Sequence, residues 1–487
     1  MAEPDRPRAI DVAITLGRPG RFDDESPEQW KEWLQAALPD ERVDRGIEFL
    51  VSRGFEVLGR SLYTLSLRGP PELFERVFGS KVDCRRLPRR ADGSQAFECR
   101  LVGSVSGVPE ALRELVAQVT IQPEHKLVGT VSATPPDLPR DVHYLTLDDV
   151  ARLLGVKAAH DAGFDGTGVR LTMIDSGFDA SHPYFGSHGF RMDVLLAGGA
   201  RDVKSDANGH GTGCAANVFA IAPGVEFTGI KIGALGGNDG GAPLLAGFQR
   251  ALGFDPERPS RRRGTRPLPH IISVSLSCGE APGTVPPWQV LPERLGQLEA
   301  CVQEALANDI VVVVAAGNRG ERGFPAQMPP VIAAGGVFSN RQGELLASNF
   351  ASAFTSRIYR DRKVPDVCGL CGEGEHADYI MLPVSSGSTH DETFAIFDGT
   401  SKVDGWARFS GTSAAAPQVA AVCALMLQKS PRLTPPQVKR RLRESAIDVK
   451  LGQASDIAQA AGLAAGAGRD RATGAGLVNA KAAIDAA

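Results

Sequence analysis

The 487-residue chain contains no stretch of 18 uncharged apolar residues, so no transmembrane helix is expected. Its first twenty residues, MAEPDRPRAIDVAITLGRPG, lack the long apolar core of a secretory leader. No charge of one sign dominates. Fifty-three Lys and Arg face 57 Asp and Glu, for a net charge of −4, which gives no reason to expect nucleic acid or an anionic membrane as a partner. Eight cysteines are too few for a disulfide framework in a chain this long. Several stand in apolar segments, as Cys423 does in VAAVCALML, so the expectation is reduced, buried thiols in a cytoplasmic protein.

What is present is a core: 43% of the residues are hydrophobic, enough for two to three domain-sized units with one of them large. Residues 1–125 read as a small α+β unit. AIDVAITL is a strand; SPEQWKEWLQAAL, with Ser26 placed to cap it, and DERVDRGIEFLVSRG are helices. FEVLGRSLYTLSLRG supplies two short strands, and PPELFERVFG is a helix opened by proline. The Pro-rich VSATPPDLPRD lies in a linker, 126–145. From 146 to 487 the pattern changes. LDDVARLLGVKAAHDAG is helical, and then GVRLTMIDSG, GVEFTGIKIG, HIISVSLSCG and IVVVVAAGN alternate as strands with APLLAGFQRALGF and RLGQLEACVQEALAND as helices. That alternation predicts an α/β fold, doubly wound, with a mostly parallel sheet and helices on both faces.

In such sheets functional groups gather at the carboxyl ends of the strands. Asp175 ends one strand and Asn318 follows another; His210 lies in SDANGHGTG and Ser413 in FSGTSAAAP, each just before a helix. Singly, each has an ordinary reading: Ser413 a helix N-cap, Asp175 a turn residue, His210 a loop residue, Asn318 a left-handed turn position. Jointly they are what acyl transfer needs: a hydroxyl, a base, an acid that orients the base, and an oxyanion donor.

DSG, NGHGT, AAGN and GTSAAAP, in that order, resemble the Asp, His, oxyanion and Ser motifs of the subtilisin-like serine peptidases; GFPAQMPPVIAAGGV, VPDVCG and GAGLVNAKAAI resemble further family segments. The resemblance spans roughly residues 145–487. It implies a serine endopeptidase working through an acyl-enzyme. Asp175 would orient and stabilise the imidazole, His210 would be base and then acid, Ser413 the nucleophile, and Asn318 with the Ser413 N–H the oxyanion hole. Ser275, Leu276 and Ser277 would form a strand edge that pairs with the substrate backbone. Ala315, Ala316 and Gly317 would leave room for a large apolar P1 side chain. Two alternatives stay open: a pseudo-peptidase serving as a peptide-binding module, and a dedicated maturation protease for one precursor peptide. A secreted, disulfide-bonded protease is a third, of another compartment.

The chain also departs from the family pattern. Gly213 and Gln418 stand where the family usually has histidines, and Ser277 where it often has glycine. The short AANVFAIAPGVEF implies that a family calcium site is missing, so no cofactor and no metal site is expected; Asp202 and Asp206 read as solvated loop acids rather than cation ligands. CGLC (368–371) has no second CxxC, though His376 and His390 lie downstream. It reads as plain loop cysteines before a zinc or redox site. Residues 372–408 exceed the family minimum and read as an insertion near the active site, and SRRRGTR (260–266) as a solvated basic loop. GFEVLGRSLYTLSLRGPPELFERVFG resembles the ferredoxin-like prodomains of the related sedolisins. That implies a first domain acting as folding aid and intramolecular inhibitor, against the alternative of a permanent accessory domain. The expected partners are a protein or peptide substrate and this domain.

Overall fold

Five consecutive β-branched or small residues, as at 311–315, cannot form an amphipathic helix; they suit a strand covered on both faces. The computed structural model bears this out. It describes residues 6–7, 9–17, 38–86, 97–102, 108–113, 115–121, 126–127, 144–233, 242–255, 266–278, 291–373, 379–398, 403, 405–456 and 458–487. The Ser26 helix, most of the linker, His376 and most of the 260–266 loop lie outside the described residues.

The N-terminal unit runs β1 (Ile10–Leu16), α1 (Asp40–Ser52), β2 (Glu56–Arg60), β3 (Thr64–Gly69), α2 (Pro71–Phe78), a hairpin of β4 (Lys81–Arg86) and β5 (Phe97–Val102), then β6 (Val116–Ile121). Its antiparallel sheet has the order β2-β3-β1-β6, the βαββαβ topology of a ferredoxin-like fold. Pro71 opens α2, where the N–H it lacks would have no helical partner. Phe55, Phe74 and Phe78 pack ring to ring beneath the sheet. Cys84 and Cys99 face each other across the β4–β5 register and are joined as a disulfide, which corrects the expectation of eight reduced thiols. The spacing of 15 residues gave no sign of it; the antiparallel pairing of β4 with β5 made the pair neighbours.

A two-residue strand, β7 (Lys126–Leu127), follows. The larger unit then begins with β8 (Tyr144–Leu145), β9 (Arg170–Asp175), β10 (Met192–Leu196), α3 (His210–Ile221), β11 (Glu226–Lys231) and α4 (Ala242–Ala251). It continues through β12 (Ile271–Val274), β13 (Leu276–Ser277), α5 (Leu291–Ala307), β14 (Val311–Ala315), β15 (Ile332–Ser339) and β16 (Leu345–Ala347). The hairpin β17 (Phe354–Thr355) and β18 (Lys363–Val364) leads to β19 (Val367–Leu370), β20 (Tyr379–Pro383), α6 (Thr389–Asp398) and β21 (Trp406–Phe409). Then come α7 (Thr412–Lys429), α8 (Pro435–Glu444), β22 (Leu451–Asp456) and β23 (Gln459–Ala464), and a short helix at Ala480–Ala486 is last. The stretch read as one helix after Thr146 is two, Leu147–Leu153 and Val156–Asp161, because Gly155 between them is left-handed.

The central sheet has the order β10-β11-β9-β12-β14-β15-β16-β22-β23, with β19 beside β15. From β10 to β15, and on to β19, every pairing is parallel. Side chains alternate between two cores. Val311, Val313 and Ala315 join α3 and α7 on one face; Val312, Val314 and Ala316 join α4 and α5 on the other. The chain reverses its direction of growth at β9, where β11 lies to one side and β12 to the other. This is the crevice where open α/β sheets hold their ligands.

Close approach of α7 to the sheet needs small residues. A Cβ on Gly369 of β19 would lie 2.7 Å from the Ala415 carbonyl oxygen, a backbone atom that cannot rotate away. Gly369→Ala is therefore expected to cost about 1–3 kcal/mol through overpacking, measured by urea unfolding of protein carrying Ser413→Ala to prevent autolysis. A stability equal to the parent's would refute this packing account.

Candidate functional site

Three neighbouring strands end at one place. Asp175 is the last residue of β9, Ser275 follows β12, and Asn318 lies just beyond β14. Two helices begin there: His210 is the first residue of α3, and Ser413 the second of α7. His210 Nδ1 donates to Asp175 Oδ1 at 2.7 Å, with the two side chains 1% and 0% exposed. Burial opposes a charged imidazole, but the Asp175 carboxylate outweighs it, so the His210 pKa sits well above the ordinary value.

The turn carrying Asp175 is tied to α3 by Asp206. Its Oδ1 accepts from the Ser176 hydroxyl at 2.9 Å, and Oδ2 accepts from the Thr212 N–H at 3.0 Å and hydroxyl at 2.7 Å. Ser176 Oγ in turn accepts from the Gly211 N–H at 3.0 Å. Asp206 is 1% exposed, not a solvated loop acid; folding, not spacing, brought α3 down onto it. The only sequence sign was an aspartate six residues before Thr212 at a helix start.

Residues 388–390 brace the same turn from behind. Thr389 and His390 donate backbone N–H groups to the carbonyls of Ala207 and Asn208. The His390 ring stacks on Phe409 at 4.9 Å, with His210 5.7 Å away. Burial, then the neighbouring His210, pushes the His390 pKa down to about 4, so this ring is neutral at pH 7. Phe409 also explains Gly213: a Cβ there would meet the Phe409 ring at 2.8 Å. The described part of 372–408 thus lies against His210.

At the other helix, Asn318 Oδ1 accepts from the Thr412 N–H at 3.0 Å. Since a backbone N–H can only donate, the oxygen must face Thr412 and the amide nitrogen the other way. That Nδ2 is buried with no acceptor. Ser413 sits in the first turn of α7, whose N–H groups have no intrahelical acceptor. The Ser413 hydroxyl donates to the Ser275 carbonyl at 3.3 Å, while Ser275 Oγ donates to the Ser413 carbonyl at 2.8 Å. Cys214 Sγ, 3.8 Å from His210 Nδ1 and 3.3 Å from the Ser413 carbonyl, places nucleophile and base near one another, though the Ser413 hydroxyl is turned to Ser275 in this state. Gln418 ties α7 into place: Nε2 donates to Asn217 Oδ1 at 2.9 Å and the Leu370 carbonyl at 3.0 Å, and Oε1 accepts from the Leu370 N–H at 2.7 Å.

The remaining site candidates line the same edge. Ser275, Leu276 and Ser277 are buried rather than exposed, with Leu276 in the core shared with α4 and α5; along β13, Leu276 pairs with Leu127 and Ser277 with Lys126, antiparallel. Cys278 exchanges backbone hydrogen bonds with Phe324 at 3.0 and 3.2 Å. The Ser277 hydroxyl is buried without a partner. Gly323 lies against Ala315, Ala316 and Ser277. Gly317 donates its N–H to Thr412 Oγ1 at 3.2 Å, which makes it a support for Asn318.

Among the described residues, one group has ligand atoms close enough to share an ion: Asp175, His210 and Cys214, within 4.8 Å of one another. Cys214 Sγ lies 3.8 and 3.9 Å from the two His210 ring nitrogens, and its thiol donates to the Ser413 carbonyl at 3.3 Å. An ion there would have to displace the Asp175–His210 bond. Cys368 is a strand residue of β19 and not a loop cysteine, whereas Cys371 lies in the loop that follows. Both are buried and unbonded to each other, and burial pushes the Cys371 thiol up to about 12.

Removing the Asp206 carboxylate would leave the Ser176 hydroxyl and the Thr212 N–H without their acceptor. Asp206→Ala is expected to lower stability by about 2–3 kcal/mol, read by urea unfolding in the Ser413→Ala background. A loss under about 0.5 kcal/mol, the range of an ordinary surface change, would show that Asp206 does not hold the two turns together.

The Subtilase family model matches residues 166–476, more than half of the chain. Subtilisin E of Bacillus subtilis (strain 168) is 27% identical over 310 residues, 59% of this chain and 63% of its own length. Alkaline elastase YaB of Bacillus sp. (strain YaB) is 28% identical over 341 residues, 67% of each. Subtilisin-like protease PopC of Myxococcus xanthus (strain DK1622) is 30% identical over 307 residues, 60% of this chain and 58% of its own. The chain thus spans less than two thirds of subtilisin E, and by the family match over its sheet-bearing unit it belongs to the subtilase family.

Proposed function

We propose that this chain is a serine endopeptidase that cleaves peptide bonds through an acyl-enzyme. The observation that carries the reading is a buried Asp175–His210 pair beside Ser413, with an unpartnered amide donor on Asn318 at the same helix N-terminus. In this mechanism the Ser413 side chain turns from the Ser275 carbonyl to His210, which takes its proton as the hydroxyl attacks. Asp175 holds the imidazole with Nδ1 protonated, so Nε2 is the accepting atom, and it stabilises the imidazolium that results. The Asn318 amide and the Ser413 N–H receive the oxyanion; one such side-chain donor is worth about 3–4 kcal/mol in the barrier, a figure taken from a member of this family. His210 then delivers its proton to the leaving amine.

The enzyme is latent in this form. Lys126 and Leu127 occupy the edge of β13 on which a substrate backbone would add as a strand. The N-terminal sheet is seated on α4 and α5: Ala13, Leu62 and Tyr63 enter the core of the larger unit, and the Leu62 N–H donates to Glu304 Oε2 at 2.7 Å. Activation is self-cleavage in the segment that follows Leu127. The substrate is a protein or peptide with a large apolar P1 side chain, for which the small Ala315–Gly317 run leaves space. The Cys84–Cys99 disulfide favours an oxidising compartment over the cytoplasmic one expected from the chain's start. No helix among the described residues is long and apolar enough to cross a membrane.

Two measurements test this reading. Intact mass of wild-type and Ser413→Ala protein, before and after a fluorophosphonate probe, should show loss of the N-terminal unit or one adduct in the wild type alone. If a protein freed of residues 1–127 in trans still takes no adduct, the chain is a peptide-binding pseudo-peptidase. The pH profile is the second. His210 must be neutral to act as base, so kcat/KM should rise with pH along an ionisation above the ordinary imidazole value of about 6.5. Asp175→Asn removes the largest contribution that opposes burial, so this limb should move down in pH while kcat falls about 10⁴-fold, the scale known for serine-protease triads. The same raised pKa makes protonated His210 stabilise the fold below about pH 6.5, a contribution lost as pH climbs through the raised value. A limb that does not move in Asp175→Asn would contradict the assignment.

A further inference from the structure

A cavity of about 470 Å³ opens where the β17–β18 hairpin, α8 and the 469–471 turn meet. Of its eleven lining residues seven are cationic and two acidic, in a chain whose overall charge is −4. The positive charge is therefore concentrated here and does not reflect the composition.

Its floor is built on Asp366, which is fully buried. Arg362 holds both carboxylate oxygens, at 2.6 and 2.8 Å; Lys439 Nζ lies 3.2 Å away, and Arg443 pairs with the same oxygen. The Ala333 N–H donates to Asp366 as well, at 2.9 Å. Burial opposes the Asp366 charge, but Arg362 and then Lys439 hold its carboxyl far below the usual range. Three cations thus share one carboxylate, leaving two positive charges in excess in a region largely closed to water. The Nε atoms of Arg362 and Arg443 are buried and have no acceptor. Arg362 is 7% exposed, so this donor has little access to solvent.

The rim adds Arg360, Lys363, Arg469 and Arg471. The two lining carboxylates offset only part of this charge. Asp361 meets only its neighbour Arg360, at 3.5 Å and in full solvent, where a pair is worth little. Asp470 spends its oxygens on the backbone N–H groups of Gly466, Ala472 and Thr473.

We propose that this cavity binds a compact polyphosphate anion, either inorganic pyrophosphate or the phosphate tail of a nucleotide. The argument is charge and geometry. An excess of about four positive charges, once Asp366, Asp361 and Asp470 are set against the seven cations, calls for a ligand of several negative charges in a small volume, and guanidinium forks match the paired oxygens of phosphate. The volume suits a small ligand of nucleotide size or less. None of its lining residues belongs to the proposed catalytic set, so the site does not depend on the proposed peptidase activity.

The test uses the full chain with Ser413→Ala, and reads thermal unfolding and calorimetric binding with sodium pyrophosphate. Sodium chloride at matched ionic strength and EDTA at matched concentration are the controls for screening and for chelation. Pyrophosphate should raise the Tm by a few degrees where neither control does. The double variant Arg360→Ser/Arg471→Ser changes exposed rim residues only, so it should melt with its parent in plain buffer and bind pyrophosphate at least tenfold more weakly. ATP competing for the site and binding more tightly identifies a nucleotide tail; ATP binding no better identifies the free anion. An absent shift, an equal shift in the double variant, or tighter binding of hexaglutamate than of pyrophosphate would overturn the proposal.

Discussion

A carboxylate and an imidazole can be buried side by side only if each satisfies the other, and the site depends on that constraint. Asp175 and His210 are essentially without solvent contact, and their 2.7 Å bond is what makes the arrangement tolerable. Everything adjoining serves to keep the two in register. Asp206 ties the Asp175 turn to α3, the 388–390 backbone holds the turn before His210, and the neutral His390 ring on Phe409 closes the space behind it. A second cation at position 390 would have repelled protonated His210; burial, and then His210 itself, keep that ring uncharged.

The sheet supplies the other half of the geometry. Parallel strands deliver their carboxyl ends to one edge, so Asp175, Ser275 and Asn318 meet although some 140 residues separate the first from the last. Helices α3 and α7 then start over that edge, which brings their unpaired N–H groups to the same point. Such proximity requires small residues at the contacts. Gly213 yields space to Phe409 and Gly369 to Ala415, and the alanines after Ser413 let α7 run through the core.

The N-terminal unit is joined to this body by a continuation of its core and not by a surface contact alone. Three of its side chains pack with those of α4 and α5, and polar links such as Gln249 Nε2 to Thr64 Oγ1 at 2.9 Å and Gln297 Nε2 to Thr15 Oγ1 at 3.0 Å complete the seam. Its last described strand, β7, then runs along β13. A domain seated on the two outer helices is thereby connected to the crevice by a short extended segment.

Local patterns in the sequence determined a good deal of this. Period-two and continuous apolar runs marked the strands, Pro71 marked the start of α2, and four short motifs in order marked the candidate residues, because helix, strand and turn preferences act over a few residues. What depended on which distant segments touch was not legible. Asp206 read as a loop acid until α3 folded onto it. Cys84 and Cys99 read as free thiols until the pairing of β4 with β5 aligned them, and Cys368 read as a loop cysteine until its strand paired with β15 and was buried. Gly213 and Gln418 looked like unexplained departures until Phe409 and Leu370 arrived as their partners. Burial and hydrogen-bond partnership are properties of contacts between residues far apart in the chain, and only the tertiary structure creates those contacts.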